Sequence, residues 1–304
     1  MQNMAFASMI VLTNERGANM DIIELLKAVL FGIVEGITEW LPISSTGHII
    51  LLEDFISLNI SPVFYDLFEI VIQLGAILAV IVLFFHKLNP FSPKKDTVQK
   101  KDTWSLWFKV VVAVLPSAVL GLLLDEPLDN FLRGTPVLGT TLNTVVVALA
   151  LILYGIAFIL VEKRNAKGAF RIQEVGAIDY RTALLIGAFQ VLSIIPGTSR
   201  SGATILGAIL LGVSRSAGAE FSFFLAIPTM LGASALKLVK FLLDGAGATA
   251  TELGVLVVGC VVSFLVSLLV IKALMEYVRR HSFASFGIYR IILGIAVLAY
   301  FAFA

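Results

Sequence analysis

Cysteine, histidine and charged residues are scarce in this chain. Its 304 residues include one cysteine and three histidines, and only 14% are charged, whereas a soluble domain carries about a quarter. A lone cysteine, Cys260, excludes an internal disulfide and a cysteine metal cluster, and its apolar surroundings favour a small helix-packing residue. The net charge of +1 gives no argument for a nucleic-acid partner. These deficits exclude an ordinary soluble fold.

Apolar sequence takes the place of the missing charge. Hydrophobic residues make up 59% of the chain and the mean hydropathy is +0.97. A spanning helix needs about 20 apolar residues, and six runs satisfy this length: 66–86, 108–125, 136–161, 217–243, 253–275 and 287–304. Two further stretches, 22–56 and 182–212, are broken centrally by LPISSTGH and IPGTSRSGAT. The sequence predicts an all-α polytopic membrane protein with six transmembrane helices and two broken, helix-loop-helix segments.

The first 20 residues differ in pattern from the rest of the chain. They have no basic region ahead of an apolar stretch and no cleavage-site pattern, so we do not interpret them as a signal peptide. We expect 1–20 to be an N-terminal extension, either disordered or lying upstream of a native start near Met20. We expect 21–304 to be a single membrane domain.

The distribution of basic residues predicts an orientation. Lysine and arginine concentrate at 87–101, 163–181 and 272–290, with Arg290 counted in the last group, while the alternate loops are acidic or nearly neutral. Basic loops of membrane proteins face the cytoplasm. This pattern holds only if each broken segment enters and leaves on one face, the first from outside and the second from the cytoplasm. Both segments are therefore predicted to be re-entrant, with both chain ends outside.

The two halves of the chain resemble each other. Gly32-x-x-Glu35 precedes SSTG as Gly187-x-x-Gln190 precedes TSRSG, and FEIVIQLGAI parallels AEFSFFLAIP. One re-entrant segment plus three spans is an odd number of crossings, so the second copy must be inverted. We predict repeat one at 21–161 and repeat two at 180–304. Because irregular backbone at membrane depth needs protein or a wet cavity around it, the two breaks should face each other.

Two glutamates precede the first break. Glu35 and Glu39 are four residues apart and share a helical face with Gly32 and Gly36, which should point into the protein. A charged side chain at mid-membrane costs about 2.5–3.5 kcal/mol. The pair is either a structural one, at the water interface or bonded to backbone, or a functional one, acting as a divalent-cation site or an acid/base pair.

The first break itself, PISSTGH, carries hydroxyls and a histidine. Helix capping is the simplest role for Ser44, Ser45 or Thr46. It does not explain His48, because the other two histidines lie beside basic loops. A hydroxyl near an imidazole offers a nucleophile with a proton shuttle.

The second break, PGTSRSG, predicts an anion site. Small residues before a helix start form a cradle of N–H groups that favours negative charge, and Arg200 in its middle suits bidentate capture of phosphate oxygens. The alternative is a purely structural pair of Arg200 with Glu35 or Glu39. Anion contacts are predicted for the loop residues Gly197, Thr198, Ser199, Arg200 and Ser201. Four further residues are expected to line the same cavity behind the groups that contact the substrate: Glu69, Gln73, Gln190 and Glu220.

These motifs, GIVEGITEWLPISSTGH, FEIVIQLGAILAV, PGTSRSGATI and EFSFFLAIP, resemble those of the bacterial undecaprenyl pyrophosphate phosphatases, also called bacitracin-resistance proteins. The resemblance covers the chain from about Asp21 onward. It implies hydrolysis of undecaprenyl diphosphate to the monophosphate and inorganic phosphate, which recycles the lipid carrier of cell-wall synthesis and confers bacitracin resistance. It implies a catalytic set of Glu35, Glu39, Ser45, His48 and Arg200, with Glu35 and Glu39 binding Mg²⁺ or Ca²⁺. It also implies that Thr46 contacts the substrate.

The resemblance leads to a mechanistic hypothesis. Arg200 and its loop hold the diphosphate, Ser45 attacks the terminal phosphorus, and His48 shuttles the proton; attack by water or by His48 remains an alternative. The rival class is a transporter or flippase of a polyprenyl phosphate, which also uses inverted repeats with broken helices. A phosphatidate-phosphatase signature is excluded because SRSGATILGAILLG contains neither histidine nor aspartate after its arginine. We expect a bacterial inner-membrane protein with an extracytoplasmic site among membrane lipids; the oligomeric state stays open, a homodimer included.

Overall fold

The computed structural model describes residues 21–137, 140–165 and 170–303, so the predicted N-terminal extension lies outside the described residues. In chain order its helices are α1 (Ile22–Thr38), α2 (Ser45–Phe55), α3 (Pro62–Leu83), α4 (Phe85–Leu88), α5 (Thr97–Gly134), α6 (Leu142–Asn165), α7 (Tyr180–Gln190), α8 (Arg200–Leu210), α9 (Arg215–Leu243), α10 (Ala250–Arg280) and α11 (Ala284–Phe303). Two-residue strands β1 (Pro136–Val137) and β2 (Thr140–Thr141) pair antiparallel before α6.

Six of these helices are long and apolar enough to cross a membrane: α3, α5, α6, α9, α10 and α11. The six predicted spans are confirmed, with differences at their ends. Helix α5 begins well before residue 108 because Asp96 and Gln99 form a reciprocal capping box at its start. Helix α6 begins at Leu142 rather than at 136, because the preceding residues form the small strand pair.

The two breaks have the same local structure. Helix α1 ends at Thr38 and α2 begins at Ser45; helix α7 passes through a 3₁₀ turn at Val191–Ile194 and α8 begins at Arg200. Ser44 and Ser199 cap the two second helices, each with a positive φ, 73° and 70°, and each accepts a hydrogen bond from the N–H three residues on. The capping expected of the first hydroxyl run therefore belongs to Ser44. Helix–break–helix geometry is confirmed in both halves, while re-entry into a membrane stays a prediction.

Helix packing also repeats between the halves. The first helix of repeat one, α1, packs along α10 of repeat two, and the equivalent helix α7 packs along α5 of repeat one. Glycines allow both contacts: a Cβ on Gly32 would lie 2.8 Å from the Gly259 carbonyl oxygen, and one on Gly187 would lie 2.0 Å from that of Ala113. Each half thus completes the other. The predicted small-residue face of α1 does point into the protein.

Arg290 corrects the interpretation of the loop charges. The sequence pattern groups it with the basic residues of the last loop, but it lies inside α11 and is fully buried, at 0% exposure. An arginine that is enclosed by protein carries no information about the loop charge rule. The remaining basic residues of that group, Lys272, Arg279 and Arg280, are exposed at or near the end of α10.

Candidate active site between the two breaks

An ion pair joins the two halves of the chain. Arg200, the first residue of α8, donates from Nη2 to Glu39 Oε1 at 2.7 Å, and both side chains are at most 10% exposed. Its Nη1 donates to the carbonyl oxygen of Ser222 at 2.9 Å, and the guanidinium lies 5.9 Å from the Trp40 ring. The guanidinium is therefore held on three sides. Glu39 of the first break and Arg200 of the second therefore meet, as the sequence predicts for the acidic pair and the arginine.

The acidic pair divides its contacts unevenly. Glu39 uses both carboxylate oxygens, because Oε1 accepts from Arg200 and Oε2 accepts from the Ser45 hydroxyl at 3.1 Å. Glu35 is 2% exposed, and its Oε1 has no hydrogen-bond partner among the described residues. The Glu35 carboxyl group also interacts electrostatically with Glu39, Glu69 and Arg200. A buried carboxyl oxygen without a partner is costly unless a proton or a cation occupies it.

Both ring nitrogens of His48 have hydrogen-bonding partners other than Ser45 in the described structure. Its Nδ1 lies 2.7 Å from the Ser44 carbonyl oxygen, and its Nε2 lies 2.7 Å from the hydroxyl of Tyr289 on α11. The two rings stack, with centroids 5.6 Å apart and an interplanar angle of 5°. The hydroxyl of Ser45 is instead bonded to Glu39. In this arrangement the first proton acceptor for Ser45 is Glu39, and the shuttle role of His48 stays a prediction.

The PGTSRSG loop is held by close backbone packing and by hydrogen bonds of its own side chains. Gly197 has a φ of +85°, and a Cβ there would lie 2.5 Å from the Val147 carbonyl oxygen, so only glycine fits. Thr198 is fully buried, the Ser199 hydroxyl caps α8, and the Ser201 hydroxyl donates to the Glu39 carbonyl oxygen at 3.0 Å. These side chains shape the loop. The Gly202 N–H donates to the Ser199 hydroxyl, so the N–H groups of Arg200 and Ser201 at the start of α8 are the ones suited to an anion.

Arg290 is the residue that the sequence motifs did not reveal. It donates to the Pro42 carbonyl oxygen at 3.1 Å, to that of Gly197 at 2.8 Å and to that of Thr198 at 3.0 Å. One side chain thereby ties the first break to the second. The available signal was a single charge inside the apolar run GIYRIILGIAV. An ionisable residue within a span is costly, so its presence there indicates a structural or functional role.

The four residues expected to lie behind the substrate-contacting groups are not clustered in one part of the structure. Glu69 lies close enough to Glu35 for their charges to interact, and Gln73 donates to the Glu69 carbonyl oxygen. Gln190 is fully buried and bonded to Ser117 and Thr229, at 2.6 and 3.2 Å. Glu220 forms an ion pair with Lys87 at 2.6 Å. Glu220, expected near the cluster, is thus joined to Lys87 of the short helix α4 instead, although Ser222, two residues on, contacts Arg200.

A cavity of about 720 Å³ lies beside α2 and α3. Its wall includes Thr46, the neighbour of Ser45, and Glu69 of α3, together with three further acids, Glu53, Asp54 and Asp66. Hydrophobic residues such as Ile49, Ile50 and Phe301 line the rest. The cavity therefore extends along α2 as far as Thr46, and its described wall does not include Ser45, His48, Glu39 or Arg200.

The two glutamates differ in how well they suit a divalent cation. Among the described residues, no group of three or more His, Cys, Asp or Glu side chains is arranged to hold a metal ion by protein ligands alone. Two carboxylates suffice for Mg²⁺ when substrate phosphates and water complete the shell. Glu35 fits, since its Oε1 is buried and lacks a partner. Glu39 fits only by sharing an oxygen that Arg200 or Ser45 now contacts.

Together these groups can perform one kind of chemistry. A hydroxyl bonded to a carboxylate, a fixed guanidinium and the N–H groups of a helix start form a centre for attack on a phosphorus atom, where positioning and charge stabilisation dominate.

Sequence comparisons identify the family of this chain. The family model described as "Bacitracin resistance protein BacA" matches residues 28–296. Proteins named undecaprenyl-diphosphatase are similar along nearly their whole length: one from Enterococcus faecalis is 58% identical over 281 residues, covering 92% of this chain and 98% of the relative. A relative from Limosilactobacillus fermentum is 54% identical over 92% of this chain and 99% of its own length. One from Clostridioides difficile, named undecaprenyl-diphosphatase 1, is 55% identical, covering 92% of this chain and 97% of the relative. With the cluster of both breaks inside the matched region, this multi-pass membrane protein belongs to the bacitracin resistance protein BacA family.

Proposed function

We propose that this protein hydrolyses undecaprenyl diphosphate to undecaprenyl phosphate and inorganic phosphate. The observation that carries the proposal is the chain of contacts from Ser45 to Glu39 to Arg200, which places a hydroxyl, a carboxylate and a guanidinium from two halves of the chain at one point. The names of relatives that are 54–58% identical support the substrate. Removal of the terminal phosphate would return the lipid carrier to cell-wall synthesis and confer resistance to bacitracin.

The proposed reaction has two steps. In the first, Ser45 Oγ bonds to the terminal phosphorus while its proton passes to Glu39, and the bond from that phosphorus to the bridging oxygen breaks. Undecaprenyl phosphate leaves, and Arg200 with the first N–H groups of α8 stabilises the charge on the transferred phosphoryl oxygens. In the second step, water attacks the seryl phosphate and passes a proton to His48, the proposed shuttle. Glu39 returns its proton to Ser45 Oγ as the bond from Ser45 to phosphorus breaks, and inorganic phosphate leaves.

Glu35 and Glu39 would hold the divalent cation, Mg²⁺ or Ca²⁺, which would supply charge neutralisation for the diphosphate. Glu35 contributes the unengaged oxygen. For Glu39 to serve as well, Arg200 would shift toward the substrate, as its predicted role in phosphate binding requires. The release of Glu39 by Arg200 before Glu39 binds the cation is part of the proposal.

The predicted setting completes the proposal. The protein would lie in the bacterial inner membrane, with both chain ends and the active site outside the cytoplasm, in line with the basic loops at 87–101 and 163–181. The polyprenyl chain of the substrate would remain among membrane lipids, and only the diphosphate would enter the cavity beside α2. A homodimer stays an expectation from the sequence.

Trapping the phosphorylated residue tests the reaction. Purified protein in detergent receives farnesyl diphosphate labelled in its terminal phosphate with Mg²⁺, and is quenched and mapped by peptide. We expect phosphate release and label on Ser45, neither of which occurs in Ser45→Ala. Ser285→Ala, whose hydroxyl bonds to Tyr277 on the surface, is the matched control and should behave as the unmodified protein.

Other outcomes would overturn parts of the proposal. Label on His48, recognisable because phosphohistidine is lost in acid and phosphoserine is kept, would make the imidazole the nucleophile. Phosphate release without any labelled residue, and with activity kept in Ser45→Ala, would favour direct attack by water. No release with any divalent cation, combined with lipid transport that survives Ser45→Ala, would favour the transporter.

A further inference from the structure

Tyr289 is the second α11 residue that meets the first break, and the sequence motifs assign it no role. Its hydroxyl lies 2.7 Å from His48 Nε2, and its ring stacks on the imidazole. The other ring nitrogen, Nδ1, lies 2.7 Å from the Ser44 carbonyl oxygen. Both nitrogens of His48 are therefore engaged by groups from two separate elements, the break itself and α11.

The chemistry of the partners fixes the proton on the imidazole. A carbonyl oxygen only accepts hydrogen bonds, so Nδ1 must carry a proton. In the neutral ring Nε2 is then the acceptor, and the Tyr289 hydroxyl donates to it. A hydroxyl also accepts, so the same contact survives if the ring becomes doubly protonated. Phenylalanine at this position would keep the stacking and lose both options.

Helix α11 is anchored where Tyr289 lies. The next residue, Arg290, donates to the carbonyl oxygen of Pro42, two residues before Ser44. On the other side, a Cβ on Gly287 would lie 2.6 Å from the Gly155 carbonyl oxygen, so α11 and α6 touch through their backbones. The backbone that carries Tyr289 is thus packed against α6 and tied to the first break, while the Tyr289 side chain itself is 44% exposed.

We propose that Tyr289 is a positioning residue for His48, which fixes the imidazole in the Nδ1–H tautomer and in one orientation beside the hydroxyl cluster. The expected effect on phosphate release rests on the proposed function, whereas the expected tautomer does not. In that tautomer the Nε2 lone pair, rather than a proton, faces α11. Any proton that His48 takes up during turnover then arrives at Nε2, next to the Tyr289 hydroxyl.

Kinetics test the functional part. In Tyr289→Phe we expect kcat for phosphate release to fall about 3- to 10-fold, the range that one lost neutral hydrogen bond corresponds to, while KM changes less than about twofold, because Tyr289 is placed to act on the imidazole rather than on substrate. The matched control is Tyr277→Phe. Tyr277 also stacks on a histidine, His281, with centroids 4.5 Å apart, but at the end of α10 away from the breaks. Its variant should keep both constants.

Nitrogen NMR tests the tautomer without activity. The chain has three histidines, so ¹⁵N-histidine labelling in lipid bilayers at about pH 8, where a histidine of ordinary pKa is neutral, gives few signals, and His48→Gln identifies those of His48. We expect a protonated Nδ1 and an unprotonated Nε2, with the Nε2 signal shifted in Tyr289→Phe and unchanged in Tyr277→Phe.

Two results would overturn the inference. One is a protonated Nε2 with an unprotonated Nδ1 in the unmodified protein. The other is a Tyr289→Phe protein whose His48 signals and kcat both equal those of the unmodified chain. If the unmodified protein releases no phosphate at all, the proposed function fails, and the tautomer measurement still decides the contact.

Discussion

A double-mutant cycle on Glu39 and Arg200 tests the contact between the two halves directly. These side chains are 161 residues apart in sequence, lie 2.7 Å apart and are 6% and 10% exposed. Removing one partner of a buried ion pair costs about 3–5 kcal/mol because the other charge is left without compensation. We therefore expect Glu39→Gln and Arg200→Gln each to lower the free energy of unfolding by about that amount. The double variant should lose less than the sum of the two by about 2 kcal/mol, a coupling expected only for contacting residues.

The assay is equilibrium unfolding in mixed micelles as the fraction of dodecyl sulfate is raised, followed by far-UV circular dichroism. Glu39→Gln combined with Arg215→Gln is the control, because Arg215 is paired with Glu162 instead, its Nε lying 2.9 Å from Oε1. This second cycle should be additive. Additivity within about 0.5 kcal/mol for Glu39 and Arg200 as well would refute the juxtaposition, and with it the active centre.

Three further predictions concern packing, metal and the link between the breaks. Gly75→Ala should destabilise the protein by about 1–3 kcal/mol or more in the same unfolding assay, because a Cβ would lie 2.1 Å from the Cys260 carbonyl oxygen, whereas Gly121→Ala, with nothing within 4 Å, should be neutral or stabilising; equal effects would contradict the helix contact. Glu35→Gln should raise at least about tenfold the Mg²⁺ concentration that gives half-maximal phosphate release, since it replaces a charged ligand by a neutral one; an unchanged requirement after chelation and titration would remove Glu35 from the metal site. Arg290→Lys should lower kcat about tenfold in a folded protein, because an ammonium cannot span carbonyls of both breaks as the planar guanidinium does; unchanged kcat would show that the link is dispensable.

Much of the fold was predictable because membrane helices are governed by length and hydropathy. The sequence predicts all six spans, since a continuous run of about 20 apolar residues is typical of a transmembrane helix. The breaks were found because proline and small polar residues interrupt an otherwise continuous apolar run. Helix ends were less accurate: the start of α5 depends on a side-chain capping box at Asp96, which hydropathy does not detect.

The site was predictable where its residues form local motifs, and not where a distant helix supplies them. Glu39, Ser45 and Arg200 lie in short strings whose chemistry is visible in sequence. Tyr289 and Arg290 lie in an apolar helix, about 240–250 residues from their partners in the first break, and only tertiary structure brings them there. The sequence pattern assigns Arg290 to a loop, because local sequence does not show which distant residues enclose its guanidinium.

The likeness of the two repeats explains how one fold supplies unlike groups to one point. After each capping serine with its positive φ, the next residue begins a helix at the centre of the protein: Ser45 in one half, Arg200 in the other. Positions that correspond in geometry have thus diverged in chemistry. Hydrolysis of a diphosphate needs this divergence, because two nucleophiles would leave the substrate's charge uncompensated and two guanidiniums would leave nothing to attack it. Under the proposed function, the same backbone geometry, used twice, would give an attacking group and a group that stabilises charge, and Glu39 contacts both residues.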